Sequence, residues 1–216
     1  MVQGLTAILF DLDGTLADTA KDLGLALNTL RSDRGLPELA LGIIRPQASN
    51  GVRGLLGLGF GITPEAEGYA LLRDEFLEVY MENICNRTRL FDGMPELLDE
   101  VGKMGLPWGI VTNKPMRFTL PLVERLGLAA QVVVGGDLCA HQKPHPEPLL
   151  YAAEKLSVSP SSCIYLGDDR RDTDASLAAG MISIVARYGY LGAGDVESWG
   201  AHGGIDHPLE LLKYIA

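Results

Sequence analysis

Short, nearly continuous apolar runs recur along most of the chain, and helical patterns separate them. The runs fall at 5–10 (Leu-Thr-Ala-Ile-Leu-Phe), 106–111, 131–134, 162–166 and 182–186. Runs without strict alternation suit strands covered on both faces, as in a parallel sheet. Between them, residues 95–104 open with Pro95 in a first turn, place Leu97, Val101 and Met104 on one face, and stop at Gly105. Residues 116–126 stop at Gly127, 147–156 follow Pro146, and 172–179 stop at Gly180. Strands alternating with helices predict βαβ units with right-handed crossovers, hence an α/β fold with a parallel sheet flanked by helices.

Residues 18–88 break that rhythm. Asp18 or Thr19 can cap a helix carrying Ala20, Leu23, Leu27 and Leu30, which stops near Gly35-Leu36-Pro37. A second begins at Thr63-Pro64-Glu65 and runs to about Cys85, with Leu72, Phe76 and Val79 on one stripe. Weaker helical segments lie at 38–46 and 50–58, and no strand is expected here. The expected organisation is a sheet domain of residues 1–17 and 89–216, with 18–88 inserted as an all-helical cap domain, a lid over a site on the sheet.

Composition narrows the partners. The chain has 216 residues, 47% hydrophobic and 21% charged, which suits a folded core rather than disorder. Asp and Glu number 28 against 18 Lys and Arg, a net charge of −10, so nucleic-acid backbones and anionic lipids are repelled. A small anionic substrate stays open, provided a metal ion or local donors reverse the field inside the site. No apolar run approaches the ~18–20 residues of a membrane span, and the start MVQGLTAILFDLDG lacks the basic opening of a signal peptide. Three cysteines at unrelated spacings read as free thiols. The expectation is a cytoplasmic protein, monomer or homodimer.

Ligands of open parallel sheets bind outside the carboxyl ends of the strands. There the chain places Asp11, Asp13, Gly14 and Thr15 after the first strand and Thr112, Asn113 and Lys114 after the second. After the fourth stand Gly167, Asp168, Asp169, Asp172 and Asp174, and a proline-rich loop before it carries Lys143. Alone, Asp13-Gly14 reads as a turn, Thr112 as a strand-end hydroxyl and Lys143 as a solvated lysine. Carboxylates converging from two strand ends, however, repel one another unless a cation neutralises them. Hard oxygen ligands suit Mg2+. Asp11 can then act as nucleophile and Asp13 as general acid, with Thr112 and Lys143 serving phosphoryl oxygens. Asp169 and Asp174 stay open between site support and helix-starting acids. His141 and His145 have a metal-ligand spacing only on a helix, which Pro144 and Pro146 preclude. The glycine-rich stretch 51–61 neither follows a strand nor fits Gly-x-Gly-x-x-Gly, so no dinucleotide site is expected.

At these residues the chain resembles the haloacid dehalogenase superfamily. Its four signatures occur in order as Asp11-Leu12-Asp13-Gly14-Thr15, Thr112, Lys143, and Gly167-Asp168 through Asp172. The resemblance implies a Rossmann-like core, Mg2+ and an aspartyl-phosphate intermediate on Asp11. Metal ligands would be the Asp11 side chain, the Asp13 carbonyl and Asp168, with Asp172 and, less definitely, Asp169 in support. An insertion just after the first signature resembles the helical cap of the phosphoglycolate phosphatase-like branch, as do Gly-Ile-Val-Thr-Asn-Lys-Pro (109–115) and Lys-Pro-His-Pro (143–146). The implied activity is Mg2+-dependent hydrolysis of a small phosphorylated metabolite, 2-phosphoglycolate first. A sugar or amino-sugar phosphatase (N-acetylmuramic acid 6-phosphate) or a β-phosphoglucomutase-type mutase are the alternatives. Haloacid dehalogenation is disfavoured because those relatives lack the second aspartate, present here as Asp13.

The cap then has to read the rest of the substrate. Residues 45–53 offer Arg45, Asn50, Gly51 and Arg53, with Asn50-Gly51 expected at the lid tip and Arg53, or else Arg45, sensing substrate charge. Asn113 is the core candidate for a substrate contact.

Overall fold

The structure, a computed structural model, describes residues 4–192 and 195–215. Its main sheet is built from β1 (Ala7–Phe10), β4 (Trp108–Val111), β5 (Val132–Val134), β6 (Cys163–Gly167), β7 (Ile182–Ala186) and β8 (Gly203–Ile205). A two-stranded ribbon adds β2 (Ala17–Asp18) and β3 (Arg89–Leu90). All six main strands are parallel, in the order β5-β4-β1-β6-β7-β8. This is the expected α/β, Rossmann-like architecture.

The sheet is covered on both faces, which explains the unbroken apolar runs. Along β1 the side chains alternate between two cores. Ile8 and Phe10 join one with Leu97 and Val101 of α5 (Met94–Lys103) and Leu122 of α6 (Met116–Arg125). Ala7 and Leu9 join the other with Leu149 and Ala152 of α7 (Glu147–Leu156) and Ala175 of α8 (Arg170–Ala178). No strand was expected at β8, because Gly203-Gly204-Ile205 carries almost no β-branched pattern.

Between the ribbon strands lie α1 (Ala20–Asp33), α2 (Leu41–Ile44), a 3-10 turn over Arg45–Asn50, α3 (Gly51–Phe60) and α4 (Tyr69–Glu82). The expected start of α4 at residue 63 is corrected to Tyr69. Gly68 has φ +84°, a left-handed conformation that ends one backbone course before another begins, and Ala66 N closes a turn onto Thr63 O. The ribbon was not foreseen, since two residues per strand leave no periodicity to read. Among the described residues no helix is long and apolar enough to cross a membrane.

Entry to and exit from the helical insertion are tied by one buried carboxylate. Asp22, in the first turn of α1, accepts hydrogen bonds from Arg87 N (2.8 Å), Thr88 N (3.0 Å) and Thr88 Oγ1 (2.7 Å). Asp22→Ala removes the acceptor and strands two backbone donors, a loss of about 2–3 kcal/mol. The midpoint of thermal unfolding should fall by roughly 5–10 °C, as measured by circular dichroism. An unchanged midpoint would show that the clamp contributes nothing.

Candidate active site

Strand register delivers the chemistry to one edge. Phe10 lies opposite Ile110 on one side and Leu166 on the other, so β1, β4 and β6 end nearly level. Asp11, Thr112 and Asp168 therefore emerge side by side. The turn after Asp13 passes very close to Asp168. Gly14 has φ +86°, and a Cβ there would lie 2.2 Å from Asp168 Oδ2, so only glycine fits.

Lys143 enters from the loop before α7 and is almost wholly buried. Its Nζ lies 2.9 Å from Asp11 Oδ1 and 2.6 Å from Asp172 Oδ1, and it also donates to the Tyr165 hydroxyl and the Val111 carbonyl. Asn113 fixes this loop. Its Nδ2 donates to Lys143 O (2.9 Å) and its Oδ1 accepts from Lys143 N (3.0 Å). Its amide is thus engaged in placing Lys143, and Asn113 also lines the cavity over the site.

Ligand oxygens of Asp11, Asp168 and Asp172 lie within 4.8 Å of one another, and all three residues are buried. Asp168 accepts from Thr15 Oγ1 (2.9 Å) and Tyr190 N (2.8 Å), with no cationic side chain bonded to it among the described residues. Burial, reinforced by the charges of Asp11 and Asp172, pushes its carboxyl well above the usual range. Burial raises Asp11 to about 7, against the downward pull of Lys143. Burial alone would lower the Lys143 ammonium, but Asp11 and Asp172 outweigh it and leave the group above its ordinary value. A dication suits this arrangement. One ammonium faces three buried carboxylates, and hard oxygen donors are what Mg2+ takes.

Asp13 is partly exposed. Its Oδ1 accepts from Lys114 Nζ (2.9 Å) and from the Thr19 hydroxyl. Asp169 resolves as the N-cap of α8, receiving Arg171 N and pairing with the Arg171 guanidinium, while Asp172 completes the capping box by accepting from Asp169 N. Asp174 is half-buried and pairs loosely with Arg170.

A cavity of about 560 Å3 opens over these groups, between sheet edge and helical insertion. Arg53, Asn50 and Gly51 line it, along with Arg73 and Tyr80. Arg45 does not. Its guanidinium is held 2.7 Å from Asp18 and lies over the Tyr190 ring, at the root of the insertion. His141 and His145 lie outside any helix, as expected, yet the loop stacks their rings with centroids 4.2 Å apart, exposed and beside Glu147.

Residues 8–186 match the family model for haloacid dehalogenase-like hydrolases. The chain belongs to that family. A curated relative named N-acetylmuramic acid 6-phosphate phosphatase, from Pseudomonas putida, is 42% identical over 98% of this chain and 96% of its own. A phosphoglycolate phosphatase from Xanthomonas campestris pv. campestris is also 42% identical, over 96% of this chain and 95% of its own. Among solved structures, that of a predicted phosphoglycolate phosphatase from Haemophilus somnus superposes with a TM-score of 0.89 at 26% identity, each chain covered in full. With phosphatase relatives along nearly its whole length, this haloacid dehalogenase-like hydrolase is a phosphoric monoester hydrolase.

Several site residues carried no role in the sequence reading. Lys114 stands two positions past Thr112, where the strand-end rule placed it without naming a partner. Tyr80, Arg171 and Tyr190 gave no local signal. Arg171 reaches across the cavity to donate to Ser49 O (2.6 Å), and Tyr190 joins Asp168 to the start of α1 through Ala20 N (2.9 Å).

Lys143→Met should lower kcat by roughly 100- to 1,000-fold, the usual cost of removing a preorganised charge at a phosphoryl site. A steady-state rate within threefold of wild type would return Lys143 to a structural role.

Proposed function

We propose that the chain hydrolyses a small phosphate monoester that also bears a carboxylate, with 2-phosphoglycolate as leading substrate, in the cytoplasm, where its free cysteines stay reduced. The observation that carries this reading is the cavity itself. Asp11, Asp13 and Lys143 lie along its core side, while Arg53 stands in its cap wall with no salt bridge among the described residues.

Asp11 attacks phosphorus, forming an acyl phosphate as the ester P–O bond breaks, and Asp13 gives its proton to the leaving alkoxide. Asp13 then takes a proton from water, which attacks the same phosphorus to release inorganic phosphate and restore Asp11. Lys143 neutralises Asp11 and the phosphoryl oxygens, and Thr112, 3% exposed at the end of β4, offers a hydroxyl. Mg2+, held by the Asp11 and Asp168 carboxylates and the Asp13 carbonyl, would draw charge from the transferring group and keep Asp11 ionised. Asp172 holds Lys143 and the α8 capping box rather than open space.

A second reading has its own support. At about 560 Å3, with an apolar wall of Leu23, Phe76, Leu77 and Phe118, the cavity far exceeds what glycolate fills. N-acetylmuramic acid 6-phosphate carries the same pair of anionic groups on a bulkier, partly apolar body.

Asp11→Asn should abolish turnover while leaving the thermal midpoint within a few degrees, and exhaustive chelation should silence the wild type until Mg2+ is restored. Retention of more than a few per cent of wild-type kcat in the variant contradicts the nucleophile. Comparing kcat/KM for the two esters chooses between the readings. Arg53→Ala should raise KM for the preferred carboxylated substrate by roughly tenfold or more, the cost of a lost paired charge contact, and KM for 4-nitrophenyl phosphate, which has no carboxylate, hardly at all. Equal small effects on both would remove Arg53 from recognition.

A further inference from the structure

We infer that Lys114 is the positioning residue for the acid–base carboxylate of Asp13, and that the cap holds Lys114 in place through the ring of Tyr80. The inference rests on the phosphatase reading above and adds to it how the proton-transferring oxygen is selected.

The two oxygens of Asp13 are treated differently. Lys114 Nζ and the Thr19 hydroxyl both bond Oδ1, while no hydrogen bond reaches Oδ2 among the described residues. A carboxylate free to turn about its last torsion presents either oxygen, whereas two donors on one oxygen leave the other to carry the proton. Oδ2 is thereby assigned to exchange a proton with the leaving group and then with water.

Lys114 is itself held from two sides. On the core side its backbone is fixed at the end of β4, with its carbonyl accepting from Gly136 N (2.9 Å) and Thr119 Oγ1 (3.0 Å). On the cap side its Nζ lies 5.0 Å from the centroid of the Tyr80 ring, within cation–π range. Tyr80 stands on α4, buried, with its ring 5.7 Å from that of Phe118. Its hydroxyl closes no hydrogen bond among the described residues, and the ring stands within reach of the ammonium. Thr19 is the N-cap residue of α1, the first helix of the same insertion. Both cap-borne contacts thus converge on one oxygen of Asp13, directly or through Lys114. The acid–base group is fully oriented only while the cap is seated on the core.

Leaving-group chemistry tests this. When Asp11 takes the phosphoryl group, an alkoxide has to be protonated as it departs, but 4-nitrophenolate leaves unaided. A misaligned Asp13 therefore slows the first turnover of an alkyl ester and spares that of the aryl ester. In rapid-mixing single turnovers, Lys114→Met should slow phosphoryl transfer from 2-phosphoglycolate, or from N-acetylmuramic acid 6-phosphate where that is the better substrate, by roughly 30- to 100-fold. The burst of 4-nitrophenol should stay within threefold of wild type. Lys114→Arg should recover most of the loss. Tyr80→Leu should show the same split more weakly, and Tyr80→Phe, which keeps the ring, should not. Asp13→Asn supplies the reference pattern.

Equal slowing of both esters in Lys114→Met would overturn the inference and make Lys114 a phosphate-binding or merely structural cation. Unchanged rates for both would overturn it as well. Should Lys114→Met fail to fold, the Tyr80→Leu and Tyr80→Phe pair carries the same decision. A wild type that releases no phosphate from either ester would instead overturn the phosphatase reading, an outcome separable from all of these.

Discussion

Three carboxylates buried within 4.8 Å of one another are unstable company, and the rest of the active-site architecture answers that repulsion. Lys143 reaches two of them from a loop that Asn113 grips at both backbone atoms, and the Tyr165 hydroxyl joins the same group. Among the described residues Asp168 is left with neutral donors alone. The parallel register of β1, β4 and β6 is what forces the group together, and the glycine at 14 is what lets the chain pass over it. The fold therefore concentrates negative charge beyond what its own ammonium groups neutralise. Under the proposed function, that excess would hold a hard cation and activate Asp11 in one arrangement.

Much of this was legible in the sequence because burial and chemistry leave local traces. Strands covered on both faces show as unbroken apolar runs, and the acids that follow them fall at strand ends by construction. Asp11, Asp13, Thr112, Lys143 and Asp168 were found that way, and the structure brings them to one edge. What the sequence left out has a different physics. Arg45 pairs with Asp18, and Asn113 clasps Lys143, each across dozens of residues; no periodicity reports such partners. Tyr190 gives its backbone N–H to Asp168 and its hydroxyl to Asp18, linking a core carboxylate with the root of the cap from a loop after β7. Short elements were equally silent, since β8 rests on Gly-Gly-Ile and the ribbon on two residues per strand.

The root of the cap and the acids of the core are consequently one hydrogen-bonded unit. Tyr190 contacts Asp168, Asp18 and the first amide of α1, Arg45 covers its ring and pairs with Asp18, and Thr19 reaches Asp13. A cap that swung as an independent body would have to break these contacts where it joins the sheet. Small rotations distributed along α1 cost less, because they preserve the root while moving the distal helices. The wall that carries Arg53 and Arg73 can then adapt to substrates of different size without disturbing Asp168.

Charge distribution completes the logic of selection. Six lysines and arginines out of the chain's 18 line this one cavity, and while Arg73, Lys114, Lys143 and Arg171 are paired with carboxylates, Arg53 and Arg117 form no salt bridge among the described residues, on a molecule whose net charge is −10. The outer surface repels polyanions at long range, while field lines inside a low-dielectric cleft converge on the local cations. A nucleic acid or an anionic membrane meets only the former. A metabolite small enough to enter meets the latter, and each added anionic group on it gains from one more cation in the wall. Under the proposed function, a compact phosphate ester with a second anionic group would gain from Arg53 and Arg117, before any particular hydrogen bond to the leaving group is made.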